Sequence, residues 1–115
     1  MPRLLIAIGL LAIALPGELL AQGKGIRLWN LTAQTISAFE LSPAGKNTWG
    51  PNQTLNDKDK EVDHDERLRI TGITSGRYDV KFTDKAGRRC TVRNVEVQDG
   101  AVFSIEEKQL ADCGK

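Results

Sequence analysis

The sequence predicts an all-β fold: a small antiparallel β-sandwich of six to seven strands closed by one disulfide. Three observations carry the prediction. Apolar and charged residues alternate with period two in several segments, turn residues recur at roughly ten-residue spacing, and Cys90 and Cys113 are the only two cysteines. Alternation with period two gives each segment one face for a core and one for water, the pattern of a two-layer antiparallel architecture.

Residues 1–21 read as a secretory signal. Arg3 and the amino terminus make a short positive region, and Leu4 to Leu15 is an uncharged apolar run. That run suits a signal core and falls short of the ~20 residues that span a bilayer. Pro16 and Gly17 break it, and Leu19-Leu20-Ala21 supplies a cleavage site before Gln22. No Cys ends the run and Arg3 stands alone, so neither a lipoprotein anchor nor a twin-arginine signal is expected. The expected mature protein is a single β-sandwich domain over residues 22–115, periplasmic or secreted, with no transmembrane anchor. The full chain carries 16 Lys+Arg against 15 Asp+Glu, a net charge of +1, which argues against a nucleic-acid partner.

Each element follows in turn. Ile26 to Leu31 and Ile36 to Leu41 read as strands joined by Thr32-Ala33-Gln34. Ser42 to Lys60 is a polar stretch rich in Gly, Pro and Asn, with Trp49 near its middle. Leu68 and Ile70 then alternate with Arg67 and Arg69, and Tyr78, Val80 and Phe82 with Arg77, Asp79 and Lys81. Asp84-Lys85-Ala86-Gly87 makes a tight turn, and the chain returns through Cys90 and Val92 as a hairpin. The inward parity flips between Val92 and Val95, which predicts a bulge at Arg93-Asn94. Asp99-Gly100 turns the chain into a last strand through Phe103 and Ile105, with one helical turn expected near Glu106 to Ala111. Strand number and spacing leave an immunoglobulin-like and a prealbumin-like arrangement open. In an oxidising compartment the isolated pair Cys90 and Cys113 reads as a disulfide, worth about 3 kcal/mol in the chain-entropy picture. A redox pair or metal ligands fit less well, because the Cys-x-x-Cys spacing is missing and His64 lies far away in sequence.

Asn30-x-Thr32, Leu41-Ser42-Pro43-x-Gly45, Trp49-Gly50-x-Asn52, Tyr78-Asp79-Val80 and Asp84-x-x-Gly87 together resemble a group of small exported bacterial β-sandwich proteins of unassigned function. The resemblance spans most of residues 26–97, and Ser-Pro-x-Gly-x-x-x-Trp-Gly is its most specific part. It departs at His64-Asp65, where the group has a Pro-Gly turn. It implies a fold and an exported location, and no catalytic residue.

Three constellations are candidates for chemistry. Residues 57–66 hold six carboxylates and two lysines, and Asp57, Asp59 and Glu61 alternate as oxygen ligands for calcium would. An EF-hand counted from Asp57 would need Gly and Glu where Val62 and Leu68 stand. The plain reading is therefore a solvated loop, attracted to the basic hairpin. That hairpin, Arg77 to Arg93, sets six positive residues against two negative ones and offers Arg88 and Arg89 to an anionic partner. The third is the Trp49 loop. Trp49 beside Asn52 suits a sugar or protein contact, or it plugs one end of the sandwich. Trp29, opposite in parity to Ile26 and Leu28, would cover an outer sheet face or a partner.

The inventory holds one histidine, no Gly-x-Ser-x-Gly elbow and no phosphate-binding glycine loop, so catalysis is not expected. The sequence-based expectation is a non-catalytic binding module for a protein or glycan partner, without cofactor, contacting it through Trp49, Asn52, Arg88 and Arg89. A calcium-binding protein using Asp57, Asp59 and Glu61 is the alternative, and a small hydrolase the third reading.

Overall fold

The structure is a computed structural model that describes residues 25–111 and Cys113; the expected signal segment 1–21 lies outside the described residues. The strands are β1 (Ile26–Leu31), β2 (Ile36–Pro43), β3 (Arg67–Ile70), β4 (Gly76–Asp84), β5 (Arg89–Val97) and β6 (Val102–Glu106). Short 3-10 turns occupy Gln53–Asn56 and Glu107–Leu110, the latter where a helical turn was expected. Two three-stranded sheets, ordered β3-β1-β6 and β2-β4-β5, pack around a shared core. The sheets are antiparallel except for β1 and β6, which run parallel. Periodicity reports a strand's faces and not its direction, so this pair is invisible in the sequence. Among the described residues no helix is long and apolar enough to cross a membrane.

The core is built by alternation. Ile26, Leu28, Leu68, Ile70, Phe103 and Ile105 face inward from one sheet, and Phe39, Leu41, Val80, Phe82 and Val97 from the other. Phe39 joins the layers, its ring centroid 6.2 Å from Phe82 in its own sheet and 6.3 Å from Phe103 across the interface. Full burial of a side chain of this size stabilises by about 1.5–3 kcal/mol.

Consecutive strands β1 and β2 lie in different sheets, and a buried polar side chain makes the crossing. Asn30 points inward and is 0% exposed. Its Nδ2 donates to the carbonyls of Gln34 and Val62, both at 2.9 Å. Its Oδ1 accepts from the Thr32 N–H at 3.0 Å and the Thr32 hydroxyl at 2.7 Å. The amide's hydrogen-bonding capacity is filled, which offsets the desolvation of a polar group in the core.

One side of the sandwich is closed by the segment 50–56. On the free edge of β2, the Phe39 N–H donates to Asn52 Oδ1 at 2.9 Å and the Leu41 carbonyl accepts from the Gly50 N–H at 2.9 Å. Further along, Ile36 and Val62 exchange two backbone hydrogen bonds at 2.8 and 2.9 Å. At the end of β3, the Gln53 side-chain amide pairs with both backbone groups of Thr71, at 2.9 and 3.0 Å. Asn56 Nδ2 adds a bond to the Arg69 carbonyl at 2.9 Å. One short turn thus laces an edge of each sheet.

The predicted bulge is present. Tyr78 pairs with Val95 and Val80 with Val92, so Arg93 and Asn94 both stand opposite Asp79, and Asn94 takes φ 61°. The opposite side of the molecule is held by the Cys90–Cys113 disulfide, with Cα atoms 4.9 Å apart. It fastens the chain beyond β6, in one sheet, to β5 in the other. Replacing both cysteines with Ser is expected to lower unfolding stability by about 3 kcal/mol, read as a shifted urea midpoint.

Candidate functional site

The Ser-Pro-x-Gly-x-x-x-Trp-Gly segment is a self-bonded loop. Ser42 Oγ accepts from the Thr48 N–H at 2.9 Å and donates to the Pro43 carbonyl at 3.0 Å. Gly45, at φ 77°, gives its N–H to Asp79 Oδ2 at 3.0 Å, in a conformation a side chain would strain. The loop lays half-buried Trp49 beneath the Lys81 ammonium, 4.5 Å from the ring centroid. Lys81 is on the outer face of β4, so Trp49 covers the outside of sheet β2-β4-β5 instead of plugging an end of the sandwich. A shallow cleft of about 270 Å³ on that face is lined by Glu40, Lys81 and Arg89 among others. The Oδ1 of Asn52 is engaged by the edge of β2 and by the 3-10 turn it caps, also accepting from the N–H and hydroxyl of Thr54.

The basic hairpin is largely neutralised by carboxylates from elsewhere in the chain. Arg77 meets Glu96 at 3.7 Å, Lys81 meets Glu40 at 3.7 Å, and Lys85 meets Glu61 at 3.0 Å. Arg93 meets buried Asp79 at 3.0 Å. Arg88 is clamped from two sides, with Nε 2.8 Å from Asp84 Oδ2 and Nη1 2.7 Å from Glu107 Oε2. Glu107 in turn accepts from the Ala33 N–H at 2.8 Å, so Arg88 ties the hairpin turn to both the tail and the β1–β2 connection. Glu107 first, and then Asp84, holds the Arg88 guanidinium above its ordinary range. Of the two arginines singled out in the sequence, only Arg89 is exposed and makes no ion pair among the described residues.

Asp57, Asp59 and Glu61 do not converge. Asp57 Oδ2 turns back to the Asp59 N–H at 2.8 Å, and Glu61 pairs with Lys85. Among the described residues no three His, Cys, Asp or Glu side chains are grouped as a metal ion would need. The expected attraction between acidic loop and hairpin is present as the Glu61–Lys85 pair.

Three cations that make no ion pair among the described residues gather on the outer face of sheet β3-β1-β6, where the sequence singles out Trp29 alone. Arg27, Trp29, Arg67 and Arg69 all project outward from sheet β3-β1-β6. Arg27 and Arg69 are direct cross-strand partners, as are Trp29 and Arg67. The Arg67 guanidinium sits over the Trp29 ring, 4.2 Å from its centroid, and Trp29 Nε1 donates to Asp65 Oδ1 at 2.9 Å. Among the described residues none of these three arginines makes an ion pair. Like charges directly opposite one another destabilise a sheet. The signal was present in the sequence as Arg27 and the Arg67-x-Arg69 alternation, but only the β1–β3 register brings residues 42 positions apart face to face.

No protein-family model matches the chain, and neither a curated protein nor a solved structure matches it.

Two outcomes follow from the paired groups. Arg88→Ala leaves the buried Asp84 carboxylate without its cation and is expected to cost about 2–4 kcal/mol in urea denaturation. Arg89→Ala, one residue on, is expected to stay within about 0.5 kcal/mol of the parent. The Asp79 carboxyl is held below the usual carboxylate range by the N–H groups of Gly45 and then Asn94, with help from Arg93. Its folded value lies below the unfolded value of about 4, so its stabilisation is complete above pH ~4 and is lost as pH falls through the folded value. Glu107, depressed by Arg88 and by the Ala33 N–H, acts in the same direction. Stability measured against pH should drop below pH ~4, and Asp79→Asn should flatten that drop.

Proposed function

We propose that this chain is an exported, non-catalytic binding module whose contact surface is the outer face of sheet β3-β1-β6, and whose partner carries negative charge there. The observation that carries this reading is the Arg27–Arg69 pair, opposed across two strands with no carboxylate between them among the described residues. Every positive residue of the hairpin except Arg89 has its own carboxylate. The alternative face, with Trp49 and Lys81, is weaker in charge because Glu40 already offsets Lys81.

Several features support a binding rather than a catalytic role. His64 is tied through Nδ1 to the Thr32 carbonyl at 2.7 Å. The depressed carboxylates Asp79 and Glu107 are held by backbone N–H groups and arginines that serve the bulge and the hairpin turn. The disulfide fits an oxidising destination and thus the export expected from residues 1–21.

The test is an NMR titration of the disulfide-bonded chain with polyglutamate, polygalacturonate and dextran sulfate at low ionic strength. At least one polymer should shift the Nε signals of Arg27, Arg67 and Arg69 and the Trp29 indole N–H, with the effect fading as salt is raised. Arg27→Gln and Arg69→Gln should each abolish the response while raising stability by a few tenths to about 1 kcal/mol, because each relieves the like-charge contact. Silence with all three polymers, or shifts centred on Lys81 and Arg89, would overturn the reading.

A further inference from the structure

The class of anion can be narrowed. We infer that the face takes a polyuronate, a linear polysaccharide bearing a carboxylate on its sugar units, lying flat across β3 and β1; this rests on the anion-binding reading above. Arg27 and Arg69 are register partners, and Arg67 lies two residues back along β3. Strand geometry sets direct partners about 5 Å apart and alternate residues about 7 Å apart, so three guanidinium groups share one side of the sheet within a short span. The clefts of about 390, 330, 270 and 210 Å³ are lined by other residues. The arginines are therefore arranged for a chain that crosses a surface and not for a small anion sunk in a pocket.

The guanidinium fork is planar and suits the two oxygens of a carboxylate. Arg67 is pre-positioned by the Trp29 ring under it, and Trp29 by its hydrogen bond to Asp65, so less freedom is lost on binding. Ser104, beside Trp29 on the same sheet, offers a hydroxyl to the hydroxyls of a sugar. A carboxylate on every unit of a polymer also lets neighbouring units engage in turn, which raises the effective concentration of each.

Other polyanions fit less well. A peptide docks on a folded domain by adding a strand or by filling apolar pockets. At Arg69 the edge of β3 is already bonded to Asn56, and Thr71 just beyond it to Gln53, which disfavours addition of a peptide strand there. Nucleic acid would need a free aromatic face, and Arg67 covers that of Trp29. An anionic membrane would press on the whole face, including Glu106 and the Asp65 carboxylate bonded to Trp29, whereas a single chain can lie across Arg27 and Arg69 with Arg67 at its side.

The experiment is isothermal calorimetry of the disulfide-bonded chain with polygalacturonate, fully methyl-esterified polygalacturonate, polyglutamate and phosphatidylglycerol vesicles. Polygalacturonate should bind, and its methyl ester about tenfold or more weakly, since esterification keeps the backbone and removes the charge. Arg69→Lys, which keeps the charge and loses the fork, should weaken binding nearly as much as Arg69→Gln. Binding of polyglutamate or vesicles through the same arginines without polygalacturonate would overturn the polyuronate and leave the anionic partner standing. Equal binding of the methyl ester would overturn the carboxylate requirement. No binding by any of the four would overturn both.

Discussion

Two three-stranded sheets have four edge strands, and the unpaired backbone groups along those edges are the constraint on which the rest of this fold depends. An uncovered edge recruits other strands, and a small sandwich has few residues with which to cover it. On one side the solution is a ladder of side-chain amides and short backbone bonds, with Asn52 and Gly50 against β2 and Gln53 and Asn56 against β3. On the other, the chain beyond β6 crosses to β5 and is fixed there by the disulfide, while Gln109 Oε1 accepts from the Glu106 N–H on β6. The covering is specific in its chemistry. An amide side chain can both donate and accept, so Gln53 satisfies the two backbone groups of Thr71 at once.

This constraint decides what the Gly, Pro and Asn-rich stretch after β2 is for. Its composition looks like that of a binding loop, yet its polar side chains are spent on backbone groups. Ser42 closes the loop on Thr48, Gly45 feeds its N–H to Asp79, and Asn52 seals β2. Asp79 couples this loop to the β5 bulge through two backbone N–H bonds and Arg93. The buried carboxylate is thus the node where the loop and the bulge set each other's geometry. Trp49 is carried to the outer face of the sheet as a consequence.

The elements whose signals are local were legible in the sequence. Strand faces follow from alternation, the hairpin from Asp84-x-x-Gly87, the bulge from the parity flip at Arg93-Asn94, and the disulfide from the presence of only two cysteines in a chain expected to be exported. The candidate site was not legible, because charge pairing is set by contacts between segments distant in sequence. Counting charges within residues 77–93 gave a surplus, yet Glu40, Glu61, Glu96 and Glu107 come from outside that stretch to offset it. Arg27 and Arg69 looked like ordinary outward positions of two separate strands, and the register that opposes them belongs to the tertiary structure. Arg88 misled for the same reason, since its second partner, Glu107, lies beyond β6.

The near neutrality of the whole chain sharpens the meaning of the arginine face. With 16 positive and 15 negative side chains there are almost enough carboxylates for every cation. The fold pairs every cation of the hairpin except Arg89 and leaves Arg27, Arg67 and Arg69 together on the opposite sheet. Other polar residues at Arg27 or Arg69 would keep the strand pattern intact, so the fold does not require these charges. A small domain with a narrow stability margin gains nothing structural from opposing two of them across a ladder. Local rules broken without structural compensation are where function is expected to reside. On the proposed reading, the cost of repulsion in the free protein would be returned when an anion bridges the pair. The same interaction that weakens the sheet by a few tenths of a kcal/mol would then act as a store of binding energy, released only to a ligand that brings negative charge to that face.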